Sequence, residues 1–512
     1  MAADRPPWSL ASLEYQEGLA VLQRRRYALR ASREELNGLT DPARAHRPAA
    51  RGTAQLVVVT DRPPRDPHTG EVAPGAGLPD EPALIALQTV AARGRGVWVC
   101  RTGEVEPTVP LRRRLVEPSA ASVHDAGHAA TMWPVYHDLG PGRYDPAWRL
   151  AFRAVNTAFA DAAAIEAAPG ATVWVYGHTL QLVPAILRRR RPDLRIGMYL
   201  PTHFPAGDTL RAMPVHREVM RGLLGADLVG FQTAAAAENF LRRTQDLTDH
   251  PPSVGVFPTS ALTPTITNLA GSPSVAAAAQ QLRARLGNPR TVILSVNPPE
   301  PSQGVAARLL ALGDAFADGR LDPSETVVIQ IVLGRSTDPT VSDEIARAAA
   351  SVNGRHAAVG RPVIHYVVDA PSLAERVAYY RTADVLLATP LREGATTSAL
   401  EFVAAARDDA ALVLSELSGT ATVLPDAFLV NPHDADQVQA GITAALAAGR
   451  QRAARMARMK SYVTTYHTFT WAEAFLRTLR GTSRRHATEP ALRPRPLPSP
   501  HVVRPTHRVR IG

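Results

Sequence analysis

The segment from Asn297 to Gly304, Asn-Pro-Pro-Glu-Pro-Ser-Gln-Gly, occupies a position where proteins commonly bind phosphate. It follows an apolar run, Thr291–Val296, that predicts a buried strand, and it precedes an apolar stripe from Val305 onward that predicts a helix. A strand, a tight loop and a helix N-terminus form a phosphate cradle, because the first N–H groups of the helix point at the ligand. The loop nevertheless holds three prolines, which lack N–H groups, and no cation. The sequence therefore leaves open whether this loop still binds an anion.

Patterns that would place a metal or a cofactor are missing from the sequence. Neither GxGxxG nor GxxxxGK[ST] occurs, and we do not expect the 16 histidines to form a zinc site. Cys100 is the single cysteine, which excludes an intrachain disulfide and a cysteine zinc site. We therefore predict a metal-independent protein without a cofactor. A reducing compartment, the cytoplasm, is the predicted location.

Alternating strand and helix patterns must position the loop and its neighbours. The first set of predicted strands comprises Ala54–Val59, Gly96–Cys100, Ala171–Tyr176, Arg195–Leu200, Asp227–Phe231 and Ser253–Phe257. The second set comprises Thr291–Val296, Glu325–Val332, Val363–Val368, Asp384–Ala388 and Ala411–Ser415. Such alternation predicts an α/β protein with two doubly wound Rossmann-like domains, residues 54–265 and 266–481, that face each other across a cleft. Ligands are expected in this cleft, at the carboxyl ends of the strands.

The two ends of the chain carry most of its net positive charge. The formal net charge is +10, and residues 1–53 hold nine arginines against six acids, while residues 482–512 hold seven arginines against one glutamate. We interpret 1–53 as a basic extension and 482–512 as a disordered Arg/Pro-rich tail, with no specific nucleic-acid partner. The sequence contains no apolar run long enough to span a membrane, so no membrane partner is predicted.

A helix is predicted to close the second domain. Thr470-Trp-Ala-Glu473 has the capping-box pattern, and Gly481 is a natural stop. Trp471, Phe475 and Leu479 recur at the spacing of one helix face, which predicts that this face docks onto another part of the protein.

Several segments together resemble glycosyltransferase family 20, the trehalose-6-phosphate synthases. The segments that carry the resemblance are LQLVPAILRRRRPDLRIGMYL (180–200), LLGADLVGFQTAAAAENFLRR (223–243), ILSVNPPEPSQGVAARL (293–309), LLATPLREGATTSALEFVAA (386–405) and LVLSELSGTA…FLVNPHDAD (412–436). The resemblance runs from about residue 54 to 481 and implies the two-domain GT-B fold. It also implies a metal-independent transfer of glucose, with retention, from a nucleotide-glucose to glucose 6-phosphate.

The resemblance also shows which active-site positions are substituted. Where the family has an arginine and a lysine on the loop after the first strand of the second domain, this chain has Pro298 and Gln303. Gly177 replaces the acidic residue expected near the acceptor sugar, and Pro201 replaces the histidine expected near the transferred sugar. His203 lies two residues further on, but strand alternation gives it no matching location.

Other family positions are retained or nearly so. The acceptor-binding residues implied by the resemblance are Arg62, Gly77, Trp133 and Arg335, the last within one place of the family arginine. The implied donor-binding residues are Glu393, Gly394, Thr397, Ser398 and Glu401, of which Glu401 matches the carboxylate that holds the ribose hydroxyls.

Three functions are compatible with this pattern. The first is a synthase of the family type whose native activity is weak or lost, because four substitutions affect different walls of one cleft. The second is a catalytically degenerate protein that binds a sugar phosphate or regulates an active paralogue. The third is an enzyme of secondary metabolism that couples pseudo-sugars. The expected small-molecule partners are a nucleotide-glucose and glucose 6-phosphate, and a homo-oligomer is also compatible with the sequence.

Overall fold

The computed structural model describes residues 52–61, 81–101, 110–245, 247–334 and 339–482 of the chain. The strands are β1 (Ala54–Thr60), β2 (Val97–Arg101), β3 (Arg112–Val116), β4 (Ala167–Tyr176), β5 (Arg195–Leu200), β6 (Leu228–Phe231), β7 (Ser253–Val256), β8 (Thr291–Asn297), β9 (Thr326–Leu333), β10 (Ile364–Asp369), β11 (Val385–Ala388), β12 (Ala411–Ser415) and β13 (Phe428–Val430). They form two separate parallel sheets, and this arrangement confirms the predicted fold class.

Helices connect the strands in both halves. In the first half they are α1 (Pro82–Arg93), α2 (Ala121–Gly127), α3 (Trp133–Tyr136), α4 (Pro146–Glu166), α5 (Val183–Arg190), α6 (Gly207–Arg211), α7 (His216–Leu223) and α8 (Ala234–Gln245). In the second half they are α9 (Thr263–Ala270), α10 (Pro273–Arg285), α11 (Val305–Ala317), α12 (Pro339–His356), α13 (Leu373–Thr382), α14 (Thr397–Ala405), α15 (Ala435–Ala447), α16 (Gln451–Thr465) and α17 (Thr468–Gly481). Helices cover both faces of each sheet, which is why the strands read as nearly continuous apolar runs.

Each sheet has a point at which the strand order reverses. The first sheet has the order β3-β2-β1-β4-β5-β6-β7, and the reversal lies between β1 and β4. The second sheet has the order β10-β9-β8-β11-β12-β13, and the reversal lies between β8 and β11. In doubly wound sheets a crevice opens at such a point, beyond the carboxyl ends of the two strands. The residues that follow β1, β4, β8 and β11 therefore lie where a ligand is expected.

The final helix returns to the first sheet after the second domain is complete. Phe475 on α17 stacks on Trp174 of β4 with ring centroids 4.3 Å apart. A Cβ atom at Gly197 of β5 would lie 2.6 Å from a methyl group of Leu479, so this strand residue must be glycine for the helix to approach. Trp471, Phe475 and Leu479 are fully buried, as the docking face predicted from their spacing requires. The helix that ends the predicted range 266–481 thus packs on the sheet of the first domain.

Most strand positions agree with the sequence prediction to within a residue or two, but three details differ. The Thr470–Glu473 capping box is wrong: α17 begins at Thr468 after His467, and no side chain caps it. Strand β3 was missed because its sequence, Arg-Arg-Arg-Leu-Val, lacks an apolar pattern. Strand β13 was missed because it has only three residues.

The remaining predictions concern the ends of the chain and the membrane. The predicted extension and the tail beyond Thr482 lie outside the described residues, apart from the short approach to β1. Within the described residues, no helix combines the length and the apolar character needed to cross a bilayer.

Candidate active site

The loop after β8 and the turn after β11 lie side by side in the second half of the protein. The amide N–H of Leu391 donates to the carbonyl oxygen of Ser302 at 2.7 Å, which joins the two segments. Gly304 adopts a left-handed conformation with φ of +58°, and a Cβ atom there would lie 2.8 Å from Leu391. The positive φ and the close approach of Leu391 explain why the loop ends in glycine before α11 begins. The two segments together form one wall of the cleft at the reversal point of the second sheet.

Gln303 lies within this wall and not on its surface. Its side-chain oxygen accepts a hydrogen bond from the Asn297 amide at 2.9 Å, and its own amide donates to Glu393 at 3.2 Å. The residue is 2% exposed. Pro298, the other substituted position on the loop, is partly buried and contributes no donor. The loop itself therefore offers an incoming anion no cationic side chain.

Arg308 is a functional candidate that the sequence analysis missed. It lies one turn into α11, and its guanidinium donates to the Asn297 side-chain oxygen at 2.6 Å and to the backbone oxygen of Gln303 at 3.1 Å. Two further acceptors are Thr389 at 3.1 Å and Gln330 at 3.4 Å. The signal in the sequence was an arginine inside the apolar stripe of the helix, next to Leu309. Burial lowers the pKa of Arg308 to about 9, which leaves the guanidinium charged at neutral pH.

Glu393 connects the loop after β8 with the start of α14. Its second carboxylate oxygen accepts a hydrogen bond from Thr396 at 2.7 Å. Burial raises the pKa of Glu393 to about 7, against the opposing effect of the bonds from Thr396 and Gln303. Thr397 and Ser398 form the first turn of α14, so their backbone N–H groups lie at a helix start.

The turn at Gly394 contacts the first half of the protein directly. A Cβ atom at Gly394 would lie 2.0 Å from the carbonyl oxygen of Pro201, a separation that no side chain can accept. Pro201 follows β5 and stands where the resemblance implies a histidine. The two halves therefore meet here through backbone, and the position implied for a histidine is occupied by Pro201.

Glu401 lies in the core of the second half. Arg376 on α13 binds both of its carboxylate oxygens at 3.2 Å, and the Tyr380 hydroxyl donates to it at 2.8 Å. Glu401 is 1% exposed and Arg376 is fully buried. Arg376 also donates to the backbone oxygen of Pro371, in the loop after β10. The carboxylate that the resemblance assigns to the ribose is thus already held by an arginine.

On the opposite wall, Gly177 and His178 follow β4. Gly177 has φ of +107°, and the space around its missing Cβ is open. The side chains of His178 and His128 are joined by a hydrogen bond of 2.8 Å between their Nε2 atoms. Trp133 lies beside this pair, 5.5 Å from the His178 ring, and stacks on His137 at 3.7 Å. Trp133 is only partly buried, so part of its ring faces outward and not into a core.

His203 lies near an ion pair that crosses between the halves. Arg392 of the second half binds Asp138 of the first half at 2.8 Å. Burial, and secondarily the charge of Arg392, lower the pKa of His203 to about 4, so its imidazole is neutral at pH 7. The residues that face Gly394 are Pro201 and Thr202. His203 therefore lies beside the Arg392–Asp138 pair, at the contact between the two halves.

Three predicted acceptor residues, Arg62, Gly77 and Arg335, lie outside the described residues. Among the described residues, one group has metal-like spacing, Asp61 with His124 and Asp125. The guanidinium of Arg101 binds both carboxylates of this group, at 2.6 Å and 2.7 Å, so the acids already have a cationic partner.

Two doubly wound parallel sheets whose reversal points share one cleft are the architecture of the GT-B fold. The family model for glycosyltransferase family 20 matches residues 115–481, and the chain belongs to this family. Trehalose-6-phosphate synthase of Mycobacterium marinum is 35% identical over 476 residues, which cover 83% of this chain and 93% of that protein. The enzyme of the same name from Mycobacterium tuberculosis H37Rv is also 35% identical, over 84% of this chain and 95% of its own length.

Solved structures show the same fold. An Escherichia coli trehalose-6-phosphate structure bound with UDP-2-fluoro glucose matches with a TM-score of 0.74 at 24% identity, over 84% of this chain and all of that one. An α,α-trehalose-phosphate synthase (UDP-forming) from Burkholderia xenovorans, in complex with glucose-6-phosphate, matches with a TM-score of 0.74 at 25% identity, over 83% of this chain and 99% of that one.

Proposed function

We propose that this protein transfers a glucosyl group from a nucleotide-glucose to glucose 6-phosphate, and that its donor site is weakened. The observation that carries the proposal is the placement of Gln303, Glu393 and Gly394 at the reversal point of the second sheet, opposite Pro201. In the reaction, the bond between the glucose anomeric carbon and the diphosphate breaks, and the acceptor hydroxyl oxygen forms the new bond and releases its proton. The departing diphosphate gains negative charge, so the surrounding groups must stabilise an anion.

The relatives support the choice of substrates. The proteins that are 35% identical to this chain over most of its length are named trehalose-6-phosphate synthases. The E. coli structure holds a UDP-glucose analogue, and the B. xenovorans structure holds glucose-6-phosphate. Trp133 and the open space at Gly177 supply a wall for the acceptor sugar in this chain.

A weak reaction follows from the absence of a cationic side chain on the donor loop. Each charge-assisted hydrogen bond that the loop does not make removes about 1.5–3 kcal/mol from binding. The Arg376–Glu401 pair also weakens the expected ribose contact, because Glu401 is 1% exposed and its carboxylate already accepts from Arg376 and Tyr380. We therefore expect a millimolar dissociation constant for the nucleotide sugar and slow turnover.

The same Arg376–Glu401 pair favours a second candidate, a protein that binds a sugar phosphate without transfer. In that case the wall around Trp133 still binds the sugar phosphate, while the donor site no longer binds a nucleotide sugar for transfer. Glucose 6-phosphate would then bind, and no product would form.

The test combines binding and product analysis on the purified full chain. UDP, GDP and glucose 6-phosphate are titrated by calorimetry, and UDP-glucose and GDP-glucose are each incubated with glucose 6-phosphate before mass spectrometry. Slow formation of trehalose 6-phosphate supports the proposal, and binding of glucose 6-phosphate without product supports the second candidate. Micromolar donor binding with ordinary turnover, on the order of 1–10³ s⁻¹, would contradict the weakened donor site.

A further inference from the structure

The start of α11 is positively polarised, and no side chain caps it. Helix α11 has 13 residues, and its N-cap is Gly304, which has no side chain to cap the first N–H groups. The dipole of the helix adds partial positive charge at this end. A helix start alone is common and does not define a site. A second feature is needed to show that a ligand belongs here.

Arg308 supplies that second feature. Its guanidinium is 97% buried, and its four hydrogen-bond acceptors, Asn297, Gln303, Thr389 and Gln330, are all neutral. Its Nε atom has no hydrogen-bond partner within the described part of the chain. The hydroxyl group of Ser302, on the same loop and fully buried, has no partner there either.

Other buried arginines of this protein are neutralised. Arg188 on α5 binds the carboxylate of Asp227 at 2.7 Å, and Arg376 binds Glu401. For Arg308, no carboxylate among the residues that the structure describes lies within ion-pair distance. A buried charge without a counter-charge is costly, and in a low-dielectric interior its field is screened little. An anion that binds at the adjacent loop relieves this cost.

Glu393 adds little opposing charge. Its carboxyl bonds to Gln303, which also bonds to Asn297, so the acid lies on the far side of the network from Arg308. Because burial raises its pKa to about 7, the carboxyl is partly protonated at neutral pH. The buried groups beneath the loop therefore keep a net positive charge, while the loop itself carries one acid, Glu300.

We infer that Arg308 is a positioning residue of the donor site, which supplies the positive charge for the diphosphate group from behind the loop and holds Asn297 and Gln303 in place. This inference rests on the proposed function, because it takes the diphosphate of a nucleotide sugar as the anion. It explains how a donor loop without a cation of its own retains a residual affinity for diphosphate.

The test separates the effect of the positive charge of Arg308 on anion binding from the effect of its hydrogen bonds. Inorganic pyrophosphate is titrated by ³¹P NMR into the full-length wild type, Arg308→Gln, Arg308→Lys and Arg188→Gln. Arg188→Gln also removes a buried arginine, but from the first half, so it controls for a general loss of stability. Lysine keeps the charge but cannot reproduce the planar fork that bonds to several acceptors, so it separates the two roles.

We expect Arg308→Gln to weaken pyrophosphate binding about tenfold or more, and Arg308→Lys to restore it to within about threefold of wild type, with Arg188→Gln unchanged. Equal affinity of wild type and Arg308→Gln would overturn the inference, as would a loss in Arg308→Lys as large as in Arg308→Gln, which indicates a purely structural role. Absence of pyrophosphate binding to the wild type at tens of millimolar would also overturn it.

Product analysis of the same variants separates this inference from the proposed function. Trehalose 6-phosphate formed by the wild type, with an unchanged pyrophosphate affinity in Arg308→Gln, would reject the role of Arg308 and leave the function standing. A charge-dependent affinity without any product would support the role of Arg308 and reject the transfer reaction.

Discussion

At the scale of single residues, the positions of the charged side chains decide how well the donor site can bind a diphosphate. The loop after β8 has no cation, and Gln303 is turned inward between Asn297 and Glu393. The positive charge lies one layer deeper, on Arg308. Charge that acts through a layer of neutral amides stabilises a diphosphate less than direct contact does, because no charge-assisted hydrogen bond forms.

Restoring cations to the loop should strengthen nucleotide binding. In the double variant Pro298→Arg/Gln303→Lys, we expect UDP to bind more tightly by about 1–3 kcal/mol per recovered contact. The gain at position 303 should be the smaller one, because Glu393 lies 3.2 Å from the Gln303 amide and will pair with the lysine. Calorimetric titration with UDP measures the effect. The neutral control is Pro298→Gln/Gln303→Met, and an equal gain in this control would show that loop shape and not charge limits binding.

The raised pKa of Glu393 predicts a pH-dependent stability. Its pKa rises from 4.5 in the unfolded chain to about 7 in the folded protein, because burial disfavours the charged form. The stability that this raised pKa contributes is fully present below about pH 4.5 and is lost as the pH rises through about 7. The free energy of unfolding then falls by at most about 3 kcal/mol. Urea unfolding at pH 5 and pH 8 measures this loss. Glu393→Gln should reduce the difference between the two pH values, and an unchanged difference would contradict the assignment.

Sequence patterns located the residues on both sides of the cleft but not the roles of the buried arginines. Gly394, Thr397 and Ser398 were implied by the family resemblance, which depends on short motifs that are local in sequence. Arg308 and Arg376 were missed because an isolated arginine is ordinarily a solvated charge. Their importance depends on acceptors that are distant in sequence, such as Thr389 and Glu401, and only the folded chain brings these together.

At the scale of elements, helix α17 joins the end of the chain to the first sheet. Strands of the parallel sheets were predictable because burial on both faces makes them continuous apolar runs. The partner of α17 was not predictable, because its apolar face indicates that it docks but not where. The required space is created by Gly197 and Gly230, which lie under Phe475 and Leu479 and have no side chains of their own.

Truncating the docking face of α17 should destabilise the protein. Phe475 is fully buried and contacts the rings of Trp174, Tyr199 and Phe257. We expect Phe475→Ala to lower the free energy of unfolding by about 3–5 kcal/mol, since a large cavity remains. Arg477→Ala, on the exposed side of the same helix, should change it by less than about 0.5 kcal/mol. Chemical denaturation of both variants tests the prediction, and similar values for the two would contradict the packing.

At the scale of the whole molecule, the function depends on how closely the two halves approach each other. Besides the docking of α17 on the first sheet, they meet at the backbone of Gly394 and Pro201, at Gly419 beside Thr233, and through the Arg392–Asp138 ion pair. The Arg392 and Asp138 side chains are partly exposed, and such pairs contribute about 1 kcal/mol or less. The backbone contact at Gly394, more than the Arg392–Asp138 ion pair, therefore limits how closely the two halves can approach each other.

A side chain at position 394 should hold the cleft open. In Gly394→Val, the new Cβ would lie 2.0 Å from the Pro201 carbonyl oxygen, and because backbone forms both sides of this contact, the halves must separate. We expect a larger radius of gyration by small-angle X-ray scattering, together with loss of any trehalose 6-phosphate formation. Each half keeps its own core, so the melting temperature should change little. Gly354→Ala is the matched control, because a Cβ there meets no atom within 4 Å. If Gly394→Val keeps both the wild-type radius of gyration and its product, closure through this turn is not what aligns the donor with the acceptor.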